Sequence, residues 1–192
     1  MRLIGFLSVI LIMLISGCES KERYRTELAR KGITYSAESF LSGAASGNEK
    51  TIALFLKAGM DINAKGEKAE TALMLAAANH HMGLLQFLID EGADINAKNI
   101  EGYTALMFVS SLGDAEAAKF LVGKGADLNA QNLNGETALM LAVLNDNFEM
   151  TEMLIAKGAS LHIRDQKGRE AIDYAFLNEP IRTLLRKAAS ER

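Results

Sequence analysis

The chain has 192 residues, of which 49% are hydrophobic and 23% are charged, so it is neither a disordered polar tail nor a protein with many membrane spans. Lys and Arg total 21 against 24 Asp and Glu, and this net charge of −3 argues against a nucleic-acid partner. The single cysteine excludes an intrachain disulfide and a zinc site built from several thiolates. With one proline and no tryptophan, the composition favours a helical chain.

The first eighteen residues have the pattern of a secretory signal. Arg2 is followed by an apolar run of thirteen residues from Leu3 to Ile15, broken only by Gly5 and Ser8. This run is too short to cross a bilayer, which takes about 20 apolar residues. Its length does suit the apolar region of a signal peptide, which is removed from the mature protein.

The end of this segment, Ile15-Ser16-Gly17-Cys18, resembles the lipobox of bacterial lipoproteins. The resemblance implies that residues 1–17 form a cleaved lipoprotein signal peptide and that Cys18 is acylated, palmitate included. Such acyl chains hold a protein stably at the membrane, because each buried methylene contributes about 0.8 kcal/mol. The alternative is an uncleaved signal anchor that ends in an incidental cysteine.

The residue after the cysteine bears on the choice of membrane. In Gram-negative lipoproteins an aspartate there commonly marks retention in the inner membrane, so Glu19 favours the outer membrane, facing the periplasm, if the source is Gram-negative.

Residues 18–35 are expected to form a short tether and an N-terminal helix. The charged stretch from Lys21 to Lys31 would end at Gly32.

A 33-residue period runs through the rest of the chain. The sequence Thr-Ala-Leu-Met begins at Thr71, Thr104 and Thr137, so both steps are 33 residues. A second marker, a glycine shortly before an aspartate, keeps the same step. Fixed periods of this length indicate a solenoid of stacked units. The second marker comprises Gly59-Met60-Asp61, Gly92-Ala93-Asp94, Gly125-Ala126-Asp127 and, in a weaker form, Gly158-Ala159-Ser160.

Each period predicts two short helices. Between Glu70 and Lys98, apolar residues cluster around Leu73 and again around Leu85, which indicates two helices with one apolar side each. The marker threonine can cap the first helix, and the marker glycine can end the second in a left-handed conformation. One unit cannot bury its own apolar faces, so neighbouring units must supply the core.

These markers and their period resemble the ankyrin repeat over roughly residues 36–187. The resemblance implies an all-α ankyrin-repeat solenoid of stacked helix-turn-helix units with projecting β-hairpin-like loops. The expected units are a first, N-capping repeat at 36–66, ankyrin repeats at 67–99, 100–132 and 133–165, and a C-terminal capping repeat at 166–192.

The units are not identical. Ala69 stands where the later units have Gly102, Gly135 and Gly168, so we expect a slightly different turn there. Met74 stands where the family usually has histidine. Apolar contact should therefore replace a hydrogen bond between repeats.

The sequence offers little chemistry. It contains no Gly-rich phosphate loop and no Gly-x-Ser-x-Gly sequence. His80 and His81 are adjacent, so their side chains project in different directions, and a role in the helix turn is favoured over metal binding. His162 is interpreted as a variant turn residue. We expect no enzyme activity, no cofactor and no metal, with a hydrolase as a remote alternative.

The ankyrin resemblance implies that a protein partner is bound by residues that vary between repeats, on the loop tips and first helices of the concave face. Tyr103 is the foremost candidate, since interface hot spots are often aromatic. Apolar residues at positions expected to be exposed support the two central repeats as the site. Alternatively, Ile100 and Leu133 only pack loop against loop. The predicted set is Tyr103, Ile100, Leu112, Leu133, Leu144, Glu136, Asn145, Lys98, Glu70 and Asn79.

The leading hypothesis is a monomeric, non-enzymatic, lipid-anchored module of the bacterial envelope that binds or inhibits an envelope or secreted protein. An immunity protein against a toxin is one version, and a support factor for an envelope enzyme is another. The alternative is an anchored structural scaffold without one dedicated ligand. A single stoichiometric partner would favour the first hypothesis over the second.

Overall fold

The computed structural model describes residues 19–191, so the predicted signal segment and Cys18 lie outside the described residues. Residues 19–30 are helical (α1), and Gly32 follows with φ +72°, a left-handed conformation that suits glycine. Leu28 of α1 is fully buried in the same core as Phe40 and Phe55. Helix α1 therefore packs on the first repeat. Within residues 19–191 no helix is both long and apolar enough to cross a bilayer.

Four helix pairs and a terminal unit follow α1, and no strand is present within residues 19–191. In each pair the first helix is called inner and the second outer. The pairs are α2 (Ala37–Ala45) with α3 (Glu49–Lys57), α4 (Ala72–Ala78) with α5 (Met82–Asp90), α6 (Ala105–Leu112) with α7 (Ala115–Gly123), and α8 (Ala138–Leu144) with α9 (Phe148–Ala156). The terminal unit has a 3-10 helix (Ala171–Tyr174) and α10 (Glu179–Ser190).

A threonine begins the inner helix in each of the three central units, as predicted. Oγ1 of Thr71, Thr104 and Thr137 accepts the backbone N–H of the residue three positions on, at 3.3–3.4 Å. In the first unit the capping residue is Ser36, whose hydroxyl accepts the N–H of Ser39. Helix α2 therefore starts earlier in its unit than the other inner helices do.

Glycines end the outer helices, also as predicted. Gly92, Gly125 and Gly158 have φ between +91° and +98°, where a Cβ atom would be strained. The turn between the inner and the outer helix needs the same conformation. There His80 and Asp146 adopt φ of +59° and +56°.

The inner helices form the more closely packed row. Helices α2, α4, α6 and α8 pack side by side and continue onto the 3-10 helix, while the outer helices contact one another less. The solenoid therefore curves toward its inner helices. Small alanines at the start of the inner helices permit this approach, and the methionines of the Thr-Ala-Leu-Met sequences are buried beside them. These residues are Ala72, Ala105, Ala138, Met74, Met107 and Met140.

Candidate partner-binding face

Projecting turns join each outer helix to the next inner helix. In the turn from Asn99 to Tyr103, the Asn99 N–H donates to the Tyr103 carbonyl at 3.1 Å and the Gly102 N–H donates to the Asn99 carbonyl at 3.0 Å. Asn99 Oδ1 accepts two further N–H groups, from Glu101 and Tyr103. This side-chain bonding stiffens the turn. The same bonds recur at Asn132–Glu136 and Asp165–Arg169.

These projecting turns, called hairpin turns from here on, are also joined to one another. One backbone hydrogen bond joins neighbouring hairpin turns at each 33-residue step. Two of the donors, Ile100 and Leu133, are predicted binding residues. Their backbones are held, but their side chains remain 56% and 63% exposed. Loop-against-loop packing therefore uses the backbone and leaves both side chains available. The bonds run from Ile100 to the Lys68 carbonyl, from Leu133 to the Glu101 carbonyl and from Gln166 to the Asn134 carbonyl, each at 2.9 Å.

The first hairpin turn departs from this pattern at one side chain. Gly66 stands where the next turn has Asn99, so the first residue of this turn has no side-chain oxygen to accept the N–H groups of the turn. Ala69 adopts φ +56°, and both backbone bonds of the turn are kept at 3.0 Å. The difference expected at Ala69 is therefore small. Beside Gly66, the Oε2 atom of Glu70 is buried without a hydrogen-bond partner in the described part of the chain.

A second ladder of hydrogen bonds supports the stack on the outer-helix side of the hairpins. Oδ1 of Asn63, Asn96 and Asn129 accepts a backbone N–H from the following unit at 2.8–2.9 Å. The neighbouring aspartates, such as Asp94, accept an N–H two residues on and so structure the loop. His162 takes the place of the asparagine in the last unit, where its Nδ1 lies 3.2 Å from Glu170 Oε2. The described residues contain no group of three or more His, Cys, Asp or Glu placed to hold a metal ion.

The four predicted apolar residues fall into two pairs. Ile100 and Leu133 lie on hairpin turns, at the N-terminal ends of inner helices. Leu112 and Leu144 lie at the C-terminal ends of α6 and α8, where they are 48% and 49% exposed. The length of α6 separates the pairs by about 12 Å. The structure therefore places them along two edges of the inner face.

Tyr103 lies on the same hairpin turn as Ile100, directly before the capping residue of α6, and is only partly exposed. Its ring centroid is 5.5 Å from that of Phe108 on α6. Burial, reinforced by the charge of Glu136, raises the pKa of Tyr103 above its ordinary value. The phenol therefore stays neutral near neutral pH. Part of the ring is used for internal packing, and a direct role in binding stays a prediction.

Glu136 is buried, with 9% of its surface exposed. Its Oε2 accepts hydrogen bonds from the side-chain amides of Asn132 at 2.8 Å and Asn134 at 3.4 Å. Its Oε1 lies 3.3 Å from the hydroxyl of Tyr174 in the terminal unit. The carboxylate is thus held inside the protein, because the terminal unit covers it. A role for Glu136 in partner binding stays a prediction.

Tyr174 joins Glu136 to a second buried acid. Its hydroxyl donates to Asp165 Oδ2 at 2.8 Å and accepts from Arg169 Nη2 at 2.9 Å. Burial acts to raise the pKa of Asp165, but hydrogen bonds from Arg169, Tyr174 and Lys167 outweigh it and hold the pKa well below its ordinary value. Burial and the bond to Asp165 raise the pKa of Tyr174. This polar network fastens the terminal unit to the unit before it.

The side chains of three further predicted residues make hydrogen bonds. Lys98 is exposed, and its Nζ donates to the Gln131 carbonyl at 2.8 Å. Asn79 is exposed, and Nδ2 donates to the Leu75 carbonyl. Asn145 is exposed, and Nδ2 donates to its own helix and to Ser111 Oγ, at 2.8 and 3.2 Å. The bonds of Lys98 to Gln131 and of Asn145 to Ser111 join adjacent units, whereas that of Asn79 lies within α4.

The two adjacent histidines have separate structural partners. His81 Nε2 lies 2.9 Å from the Ala45 carbonyl, which can only accept, so this nitrogen carries the proton. His80 Nδ1 lies 3.0 Å from Asp114 Oδ2 of the following unit. One ring therefore contacts the unit before and the other the unit after. Both histidines lie in the turn between α4 and α5, where His81 directly precedes α5.

Three exposed apolar residues were missed by sequence reasoning. Phe148, Phe176 and Leu177 are 43%, 64% and 99% exposed. Leu177 lies one 33-residue period after Leu144, so extending the period beyond the last Thr-Ala-Leu-Met sequence would have found it.

Repeated helix pairs, hydrogen-bonded hairpin turns and a core shared between units define a helical repeat solenoid with side chains displayed along its inner face. A family model described as ankyrin repeats (three copies) matches residues 41–132 and 107–191. The chain belongs to the ankyrin-repeat family. Ankyrin repeats form protein–protein interaction modules and are typically non-enzymatic, so a protein partner is indicated. Comparison with curated proteins gave no match.

Proposed function

We propose that this protein is a non-enzymatic, lipid-anchored module of the bacterial envelope that binds or inhibits one protein partner through its central repeats. The observation that carries the proposal is the exposure of Ile100 and Leu133 on successive hairpin turns, at 56% and 63%. Large aliphatic side chains in a row on a soluble surface commonly mark a binding site. Their backbones are already ordered, so binding would cost little additional entropy there.

The proposed anchor is Cys18, which directly precedes the described helix α1. Helix α1 is fastened to the repeats by the buried side chain of Leu28, and little free chain separates residue 18 from the first unit. An acylated Cys18 would therefore hold the repeats close to the membrane. In a Gram-negative source we expect the outer membrane and the periplasm.

The partner would be an envelope or secreted protein, as expected for an immunity protein or for a support factor of an envelope enzyme. Both roles require one partner bound in a fixed ratio. A scaffold would instead collect many weakly bound proteins.

The anchor is tested by fractionation and by mass. The full chain, tagged after Arg192, should be found in membranes with a mass that shows acylation of Cys18. The Cys18→Ser variant should lose the lipid and leave the membrane fraction. An intact amino terminus at Met1 in the wild type would contradict this part of the proposal.

The binding face is tested by paired variants. Ile100→Ser with Leu133→Ser should weaken capture of a stoichiometric partner at least about tenfold, because a hot spot contributes upwards of 1 kcal/mol per residue. The matched control is Gln86→Ser with Glu152→Ser, two exposed positions on outer helices. Circular dichroism should show the same fold for both. Equal capture by both variants would refute this face as the binding site.

A further inference from the structure

The turns between inner and outer helices form an edge of their own at the C-terminal half of the solenoid. We define this turn edge as residues 112–119, 144–149 and 176–182. Large apolar side chains are exposed along it in every one of these three turns. They are Leu112 at 48%, Leu144 at 49%, Phe148 at 43%, Phe176 at 64% and Leu177 at 99%.

Hydrogen bonds hold the three turns in register. Asn145 Nδ2 donates to Ser111 Oγ at 3.2 Å, and Asn178 Nδ2 donates to Asp146 Oδ1 at 3.1 Å. Leu144 is one period after Ser111, and Leu177 is one period after Leu144. Leu144 and Leu177 therefore occupy the same position in successive units, Ser111 occupies it in the unit before, and Leu112 lies one residue further on. The five exposed side chains are together called the apolar row.

The turn edge is also acidic. Its three segments contain five acidic residues against Lys119 and Arg182, a formal charge of −3. Lys119 lies 3.7 Å from Glu149, Arg182 lies 2.7 Å from Glu179 and His80 Nδ1 lies 3.0 Å from Asp114, which leaves two acids without an ion-pair partner among residues 19–191. The opposite edge differs, since the hairpin segments 97–103, 130–136 and 163–169 carry four basic and three acidic residues. The two acids are Glu116 and Asp146.

Helix stability accounts for only part of this surface. Glu116, Glu149 and Glu179 lie in the first turns of helices, where a negative charge is favourable. That effect does not explain Asp146, which lies before α9 in a left-handed turn. Nor does it explain a row of exposed leucine and phenylalanine side chains.

We propose that the turn edge binds an amphipathic, basic α-helix of the partner protein. The apolar row would receive the apolar stripe of that helix, and the acids on either side would face its Lys and Arg residues. This inference rests on the proposed function, in that it supposes a protein partner, and adds the chemistry of the partner. An anionic membrane and a second copy of the turn edge both carry the wrong charge for this surface.

The probe is a fluorescently labelled, designed helix of leucine and lysine, about 18 residues long, which gives five helical turns. Its control is the same sequence with glutamate in place of lysine. The protein is the full chain purified in detergent, and the readout is fluorescence anisotropy. We expect saturable binding of the lysine peptide that weakens as salt is raised. Equal binding of the glutamate peptide would overturn the proposal.

Two pairs of substitutions locate the peptide. Leu144→Ser with Leu177→Ser should weaken binding at least tenfold, and the matched pair Ile100→Ser with Leu133→Ser on the hairpin turns should leave it unchanged. All four side chains are about half exposed or more, so the fold should be retained, which circular dichroism checks. Equal binding by both pairs would place the peptide elsewhere and overturn the proposal.

The role of charge is tested by Glu116→Gln with Asp146→Asn. This pair should weaken binding of the lysine peptide several-fold and make that binding less dependent on salt. An unchanged salt dependence would overturn the role of these acids.

Two other occupants have their own outcomes. Dimerisation that is lost in Leu144→Ser with Leu177→Ser would assign the edge to a second copy. Attachment of the Cys18→Ser chain to phosphatidylglycerol vesicles, lost in the same way, would assign it to lipid, and either result overturns the proposal.

The natural partner separates this inference from the proposed function. If the hairpin pair Ile100→Ser with Leu133→Ser abolishes capture while the turn-edge pair retains it, the proposed function stands and this inference fails. If neither pair affects capture, both fail. Loss of capture in the turn-edge pair, together with the peptide result, supports the inference.

Discussion

Tyr174→Phe isolates the contribution of one hydroxyl to the C-terminal end of the solenoid. The side chain is 4% exposed, and its ring lies against the Arg169 guanidinium at 4.4 Å. Phenylalanine keeps the ring and its contacts. It removes only the hydroxyl, which donates to Asp165 at 2.8 Å, accepts from Arg169 at 2.9 Å and lies 3.3 Å from Glu136.

The expected cost follows from the charge of the groups left behind. A hydrogen bond to a charged group contributes about 1.5–3 kcal/mol to the free energy of unfolding, and burial at this site prevents water from replacing it. We therefore expect a loss of about 2 kcal/mol. For a domain of this size that corresponds to a decrease in Tm of about 4–8 °C. In a repeat protein the loss should fall mainly on the terminal unit and its interface.

The measurement is urea unfolding followed by circular dichroism, together with hydrogen exchange. Tyr35→Phe is the matched control, since the Tyr35 ring stacks on Phe55 and its hydroxyl has no hydrogen-bond partner among residues 19–191. Its effect should stay within about 0.5 kcal/mol. In Tyr174→Phe, amides of α10 should exchange faster while those of α4 keep their rates. A destabilisation no larger than that of Tyr35→Phe would refute the assigned role of the hydroxyl.

Two further predictions concern the same half of the molecule. In Gly135→Ala the new Cβ would lie 2.9 Å from the Asp165 backbone at φ +78°, whereas at Gly168, with φ +76°, no described residue other than its chain neighbours lies within 4 Å of that position. Urea unfolding should therefore show Gly135→Ala to be less stable than Gly168→Ala by about 1 kcal/mol or more. Equal unfolding midpoints for the two variants would contradict the steric clash expected at position 135. Because the pKa of folded Asp165 is held below its ordinary value, its contribution is present above the unfolded pKa of about 3.9 and is lost as the pH falls toward the folded value. Asp165→Asn should thus lower the free energy of unfolding most near neutral pH and progressively less below about pH 4. A loss of stability that does not change with pH would contradict the role assigned to the charge of Asp165.

The local features of the repeats could be predicted because they depend on neighbours in sequence. Thr104 caps α6 through an N–H only three residues away, and Gly92 ends α5 because no Cβ is strained at its φ of +91°. The 33-residue period then predicted that the units stack. No long-range information was needed for either feature.

Burial on the inner face could not be predicted in the same way. Glu136 was expected on a binding surface, but it is buried, and the hydroxyl of Tyr174, 38 residues later, lies 3.3 Å from its carboxylate. The side chain of Tyr103 is likewise only partly available on the inner face, because its ring packs against Phe108. Residue type and period do not show which neighbouring unit covers a position, because covering is set by the packing between units.

The sequence by itself determined the fold, the repeat length and the ends of the helices, since these follow from local steric preferences repeated at a fixed interval. Only the tertiary structure decided how the exposed apolar residues are distributed. It separated Ile100 and Leu133 on the hairpin turns from Leu112 and Leu144 at the opposite ends of the inner helices, and it left Leu177 exposed in the terminal unit. The physical reason is that the exposure of a side chain depends on its position along the helix and on the neighbouring unit that packs against it. The sequence does not show which unit covers a given position, because that is set by the packing between units.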